Sequence, residues 1–81
     1  MKIIFSESFK KDYQKIKDKK VRIKILKQIK KIGDRSDVGK PLGGNLKGHR
    51  SLRIKPFRII YRIEENDIVI NCFDHRKRVY D

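Results

Sequence analysis

Cysteine is nearly absent from this sequence: Cys72 stands alone among 81 residues. A lone cysteine excludes an internal disulfide and fits a reducing cytoplasm. With only two histidines beside it, no zinc-ligand set can be assembled. Long hydrophobic runs are missing too. The apolar stretches last a few residues, too short for a membrane span or a secretory h-region. Aromatics are scarce at 9%, and Phe57 and Tyr61 fall on the expected core face, so the sheet lacks the base-stacking platform of an RNA-recognition domain. No carboxylate pair is placed for acid–base work. No glycine-rich loop leads from a strand into a helix, and Gly43-Gly44 precedes a strand, which argues against a P-loop. These absences describe a cytoplasmic chain without cofactor or metal.

Acids are also in short supply. Ten Asp and Glu face 23 Lys and Arg, a formal net charge of +13. The length suits one domain, residues 1–81, with a small core. Self-repulsion at that charge opposes folding and is relieved by an acidic partner. Nucleic acid, an anionic membrane surface and an acidic protein are the candidates. The type of cation changes along the chain. From Lys10 to Arg35 it is almost always lysine, whereas from Arg50 onward it is mostly arginine: Arg50, Arg53, Arg58, Arg62, Arg76 and Arg78. Lysine is a mobile, hydrated point charge; arginine is a planar fork matched to phosphate. Lysines to attract a nucleic-acid backbone and arginines to grip it is the reading this division suggests.

Hydrophobic period gives the architecture. Lys2-Ile3-Ile4-Phe5 reads as a short strand, and Ser6 or Ser8 can cap the helix that follows. Phe9, Tyr13 and Ile16 recur at helical spacing. After Lys17-Asp18-Lys19-Lys20, a second helix shows Val21, Ile25, Ile29 and Ile32 on one face, with Gly33 as its expected C-cap. Residues Asp34 to Lys47 read as a loop. The period then becomes two: Leu52 and Ile54 share a face, as do Phe57, Ile59, Tyr61 and Ile63, leaving Arg58, Ile60 and Arg62 opposite. Glu64-Glu65-Asn66-Asp67 forms a turn before a strand over Ile68 to Phe73. The fold class is α+β: an N-terminal strand, a two-helix hairpin and a three- to four-stranded antiparallel sheet, the fourth strand lying near Val79.

The hairpin around Lys55-Pro56 draws the chemistry together. Any even-length loop centred there sets Arg53 opposite Arg58 on one face. Like charges directly opposite destabilise a sheet, so either the two splay into solvent or they form an anion site. Arg76 and Tyr80 follow the third strand and can reach the same region. Lys47, Arg50, Lys55, His75, Lys77 and Arg78 are the surrounding candidates for contact with RNA. His75 is either a general acid or base or a hydrogen-bonded surface residue; Cys72 fits packing in the strand.

Phe5-Ser6, Leu46-Lys47-Gly48, Leu52-Arg53-Ile54, Phe57-Arg58-Ile59-Ile60-Tyr61 and the ending His75-Arg76-Lys77-Arg78-Val79-Tyr80, in that order, resemble the RelE/ParE toxin superfamily over the whole chain. The resemblance implies a helical hairpin on a small antiparallel sheet, in agreement with the periodicity. It also implies one of two activities. RelE-type members cleave mRNA in the ribosomal A site, by attack of a 2′-hydroxyl on the adjacent phosphate; ParE-type members poison DNA gyrase. The ending favours the RelE type, a metal-independent endoribonuclease, with Arg53, Arg58, Arg76 and Tyr80 as the implied catalytic set. Ser51 stands where some members carry another lysine. The implied partners are the ribosome with its mRNA and an acidic, RelB-like antitoxin that forms a hetero-oligomer with the toxin. A basic RNA-binding module without activity is the third reading.

Overall fold

A computed structural model describes residues 2–55 and 57–75 of the chain. Strand β1 (Lys2–Phe5) leads into helix α1 (Glu7–Gln14) and, after a short connection, helix α2 (Lys19–Asp34). Strand β2 (Lys40–Pro41) and a single 3-10 turn (Gly44–Leu46) precede β3 (His49–Ile54), β4 (Phe57–Glu64) and β5 (Asp67–His75). The sheet order is β1-β5-β4-β3-β2. Neighbouring strands are antiparallel except β1, which runs parallel to β5. The α+β reading holds, with a mixed five-stranded sheet in place of a purely antiparallel one. The strand expected near Val79 lies outside the described residues.

Local chemistry explains the helix boundaries. Ser6 has extended backbone, and its side-chain oxygen accepts from the Phe9 N–H, capping α1. The Ser6 hydroxyl in turn donates to the Asn71 carbonyl, so one side chain starts a helix and fastens it to β5. Asp18 caps α2 by accepting from the Lys20 N–H. Arg22 locks the bend between the helices: its Nε donates to the Ile16 carbonyl at 2.7 Å, and its guanidinium lies 5.0 Å from the centre of the Tyr13 ring. Gly33 is not the cap. Helix α2 continues through Asp34, and a Cβ on Gly33 would stand 3.1 Å from Ile3 Cδ1. Glycine there lets the last helical turn close onto β1, a packing role that a C-cap signal resembles in sequence.

One face of the sheet receives both helices. Phe9, Ile25, Ile29 and Ile32 pack on Ile54, Ile59, Tyr61, Ile68 and Ile70. Full burial of each isoleucine contributes roughly 1.5–3 kcal/mol, so Ile25, Ile32, Ile59, Ile68 and Ile70, all at 0% exposure, hold most of this small core together. Lys19, Lys20, Lys24, Lys27, Lys30 and Lys31 remain exposed on α2. Ile63, expected to share the Ile59 and Tyr61 face, is 39% exposed, near the end of β4 where burial falls away.

A candidate anion-binding cleft on the face away from the helices

Residues 55 and 56 separate β3 from β4, and the resulting register pairs Ile54 with Phe57 and Arg53 with Arg58. Both arginines therefore stand on the face away from the helices. Their environments differ. Arg53 is exposed, whereas Arg58 is only 8% exposed although it faces away from the core. Ser51 and Ile60, the next pair on that face, are also buried. The period-two pattern thus gives the direction of Arg58 but not its burial, because the second face of β4 is covered as well. Arg53 and Arg58 line an open cleft of about 500 Å³ with Lys40, Ser51 and Leu42.

The other rim of the cleft is pinned from behind. Tyr61 is fully buried, and its hydroxyl donates to the Ser36 carbonyl at 2.7 Å while accepting from the Gly39 N–H at 2.9 Å. Burial raises the phenol pKa above 10.0, with the Gly39 N–H and Arg50 acting the other way and Asp37 adding to the rise. Arg50, across from Tyr61, donates from Nη1 to the Gly39 carbonyl at 2.8 Å and the Asp37 carbonyl at 3.3 Å. Residues 36–39 are thereby strapped to the helix side of the sheet. A Cβ on Gly39 would meet Tyr61 Oη at 2.7 Å and the Ser51 carbonyl at 2.9 Å, so only glycine fits that contact. With Gly39 facing Tyr61, alternation turns Lys40 to the cleft side.

A bulge shapes the other end of the face away from the helices. Pairing steps from Ile60–Cys72 to Tyr61–Ile70, leaving Asn71 as the extra residue. Its side-chain oxygen accepts from Arg62 Nη1 at 2.6 Å, and its nitrogen lies 2.9 Å from His49 Nε2. Arginine can only donate, so the Asn71 oxygen faces Arg62 and its NH2 faces His49. His49 Nε2 is then the acceptor, and the ring proton sits on Nδ1. Glu64 completes the chain by binding Arg62 Nη2 at 3.0 Å.

The candidate residues thus separate into groups. Arg53 and Arg58 come together, as the even-length loop requires. Arg50 does not join them; its guanidinium holds loop carbonyls on the other side. Lys47 and Lys55 are exposed, one after the 3-10 turn and the other in the β3–β4 turn. His75 ends β5 at the register opposite Phe57. Arg76, Lys77, Arg78 and Tyr80 lie outside the described residues. Lys40 is the lining cation that sequence reading missed, since a lysine inside a glycine- and proline-bearing loop carries no periodic signal. Among the described residues, no group of three or more His, Cys, Asp and Glu is placed to hold a metal ion. No helix among them is long and apolar enough to cross a membrane.

Comparison with known proteins agrees with this architecture. The family described as the ParE toxin of the type II toxin–antitoxin system parDE matches residues 3–80. No protein of curated function matches the sequence. Among solved structures, a chain of the toxin–antitoxin complex RelBE2 from Mycobacterium tuberculosis is 26% identical, with 93% of this chain and 96% of that chain covered and a TM-score of 0.80. A YoeB dimer from Staphylococcus aureus is 28% identical over 94% and 97% of the two chains, TM-score 0.78. The YoeB/ParE toxin from Agrobacterium tumefaciens, at 22% identity, shares the fold over 94% and 99% of the chains with a TM-score of 0.84.

Proposed function

The chain belongs to the ParE toxin family of type II toxin–antitoxin systems, within the RelE/ParE superfamily, and on that premise we propose that it is a ribosome-dependent endoribonuclease that cuts mRNA in the A site. One observation carries the reading: two arginines directly opposite on adjacent strands, one of them 8% exposed, at the lining of a cleft that also holds Lys40. A phosphate in the cleft meets two guanidinium forks from adjacent strands, while on its other side Arg58 stands opposite Asp74 of β5.

The reaction proceeds by attack of a 2′-oxygen on the adjacent phosphorus. The bond from phosphorus to the 5′-oxygen breaks, leaving a 2′,3′-cyclic phosphate and a free 5′-hydroxyl, and the 2′-proton ends on the departing oxygen. Charge accumulates on the non-bridging oxygens of the pentacoordinate phosphorane. Arg53 and Arg58, held by strand backbone, stabilise that charge without having to reorganise. A guanidinium is a poor general base, so much of the rate comes from positioning of the message by the ribosome. Arg76 and Tyr80 enter the scheme from the family resemblance alone, as a stabiliser of the leaving oxygen and as the group that orients the nucleotide or accepts the 2′-proton.

In this reading the partner in the cell is an acidic antitoxin; the similar RelBE2 chain was itself crystallised in a toxin–antitoxin complex. Its association rate falls steeply with salt, since a net charge of +13 steers the encounter. The test of the main reading is toeprinting with purified protein on programmed ribosomes. Cleavage inside the A-site codon, with little cutting of naked RNA, is the expected result. The ParE match favours a second reading, inhibition of gyrase. Intact message together with induced DNA-damage signalling would establish that reading instead.

A further inference from the structure

Position 51 is occupied by serine, with 7% of its surface exposed, on the cleft face of β3. Directly across the β2–β3 ladder from Ser51 stands Lys40. Residues opposite one another on antiparallel strands have Cβ atoms about 4.5–5.5 Å apart and project to the same face. Lys40 is exposed, lines the cleft with Ser51, Arg53 and Arg58, and is turned that way because Gly39 before it faces Tyr61.

We infer that Lys40 is the third phosphate-binding cation of this cleft, supplied from β2 where position 51 of β3 has none, an inference that rests on the anion-binding reading of the Arg53–Arg58 pair. Three features support the assignment. Ser51 is small, so the ammonium can pass over it toward the arginines. Arg53 lies two residues from Ser51 on the same strand, roughly 6.8 Å away, within the span of one nucleotide's phosphate oxygens and the lysine stem. Finally, β2 is only two residues long, and the strap of Tyr61 and Arg50 behind it fixes the backbone from which Lys40 projects. An exposed lysine on a free loop would have no such anchor. The substrate class is single-stranded RNA bound by its backbone, with Lys40 adding charge and Arg53 and Arg58 adding geometry.

The experiment measures binding, separately from cleavage. A fluorescent RNA pentanucleotide with 2′-O-methyl groups throughout binds without reacting, and anisotropy gives Kd between 50 and 200 mM salt, roughly the range over which phosphate contacts are lost. Lys40→Met keeps the stem and removes the charge. It should weaken binding on the order of tenfold and flatten the log Kd against log salt slope by about 0.7, the value for one single-strand phosphate contact. Lys40→Arg should stay close to the parent. Lys17→Met, an exposed lysine in the helix connection, removes the same formal charge and should change Kd less than about twofold. Arg53→Ala tests the cleft itself at an exposed side chain. If Arg53→Ala weakens binding and Lys40→Met only matches Lys17→Met, the Lys40 assignment is overturned and the cleft stands. If neither Arg53→Ala nor Lys40→Met exceeds Lys17→Met, both readings fall. A loss in Lys40→Met without one in Arg53→Ala also overturns the assignment, because the lysine then serves a site other than this cleft.

Discussion

Removing a single oxygen tests how the cleft is held. In Tyr61→Phe the ring stays in the core, but the Gly39 N–H loses its acceptor and the Ser36 carbonyl loses its donor. Gly39 is buried, so water cannot replace the lost partner without opening the strap. A buried donor left unsatisfied costs about 1–3 kcal/mol. For a domain of this size the total stability is about 4–12 kcal/mol, and each kcal/mol shifts Tm by roughly 4–8 °C. A loss of about 2 kcal/mol therefore lowers Tm by roughly 8–16 °C. The pH dependence gives a second handle. Burial raises the Tyr61 pKa above 10.0, so the unfolded chain releases this proton first as pH rises. The stabilisation by the phenol is complete below pH 10 and declines as pH climbs through the higher folded pKa. Urea unfolding of parent and variant at pH 7 and pH 11 reads both effects, and the titration of lysines cancels between the two proteins. Equal midpoints at pH 7 refute the strap; a gap that does not narrow at pH 11 refutes the burial of the phenol.

Other substitutions probe the remaining links. Gly39→Ala drives a methyl against Tyr61 and against the Ser51 carbonyl; it should cost about 1–3 kcal/mol by overpacking in a thermal melt. Glu65 sits at φ 55 in the two-residue turn between β4 and β5, so Glu65→Gly should gain about 1 kcal/mol by relieving the left-handed backbone, read as a higher urea midpoint. Arg58→Lys keeps charge but loses the planar fork; single-turnover cleavage on programmed ribosomes should fall roughly a hundred- to thousandfold, nearly as far as in Arg58→Ala. Near-normal cleavage by folded Arg58→Lys would show that Arg58 supplies charge alone.

Elements with strong periodicity were legible in the sequence. The helix face of Ile25, Ile29 and Ile32 became the core, and the even loop at 55–56 put Arg53 across from Arg58. Three features escaped, each because its cause is distant in the chain. The parallel partner of β1 is β5, more than sixty residues away, and no local pattern encodes that choice. The bonds of Arg50 to the carbonyls of residues 37 and 39 depend on a loop eleven or more residues away, so its place in an arginine-rich run does not announce them. The bulge at Asn71 leaves no mark in the alternation of Ile68, Val69 and Ile70, yet it sets up the His49–Asn71–Arg62 chain.

The two faces of the sheet divide between the core and the proposed cleft, and the division falls between adjacent residues. Gly39 faces the core side, where the Tyr61 hydroxyl holds it; Lys40 faces the cleft. Arg50 holds the loop, while Ser51 lines the cleft. Because β-strand side chains alternate, a shift of register by one residue would exchange these roles at every position. The strap prevents it: Arg50 and Tyr61 both bind residues 36–39, and β2 alone, with two residues, could not fix its own register. The lysines of α2 require no such device. They act through the long-range field, which is insensitive to ångström placement but weakened by salt. On the endoribonuclease reading the cleft needs fixed donors for a phosphorane; Arg53, Arg58 and Lys40 stand on strands, whereas six of the lysines lie along the solvent face of α2.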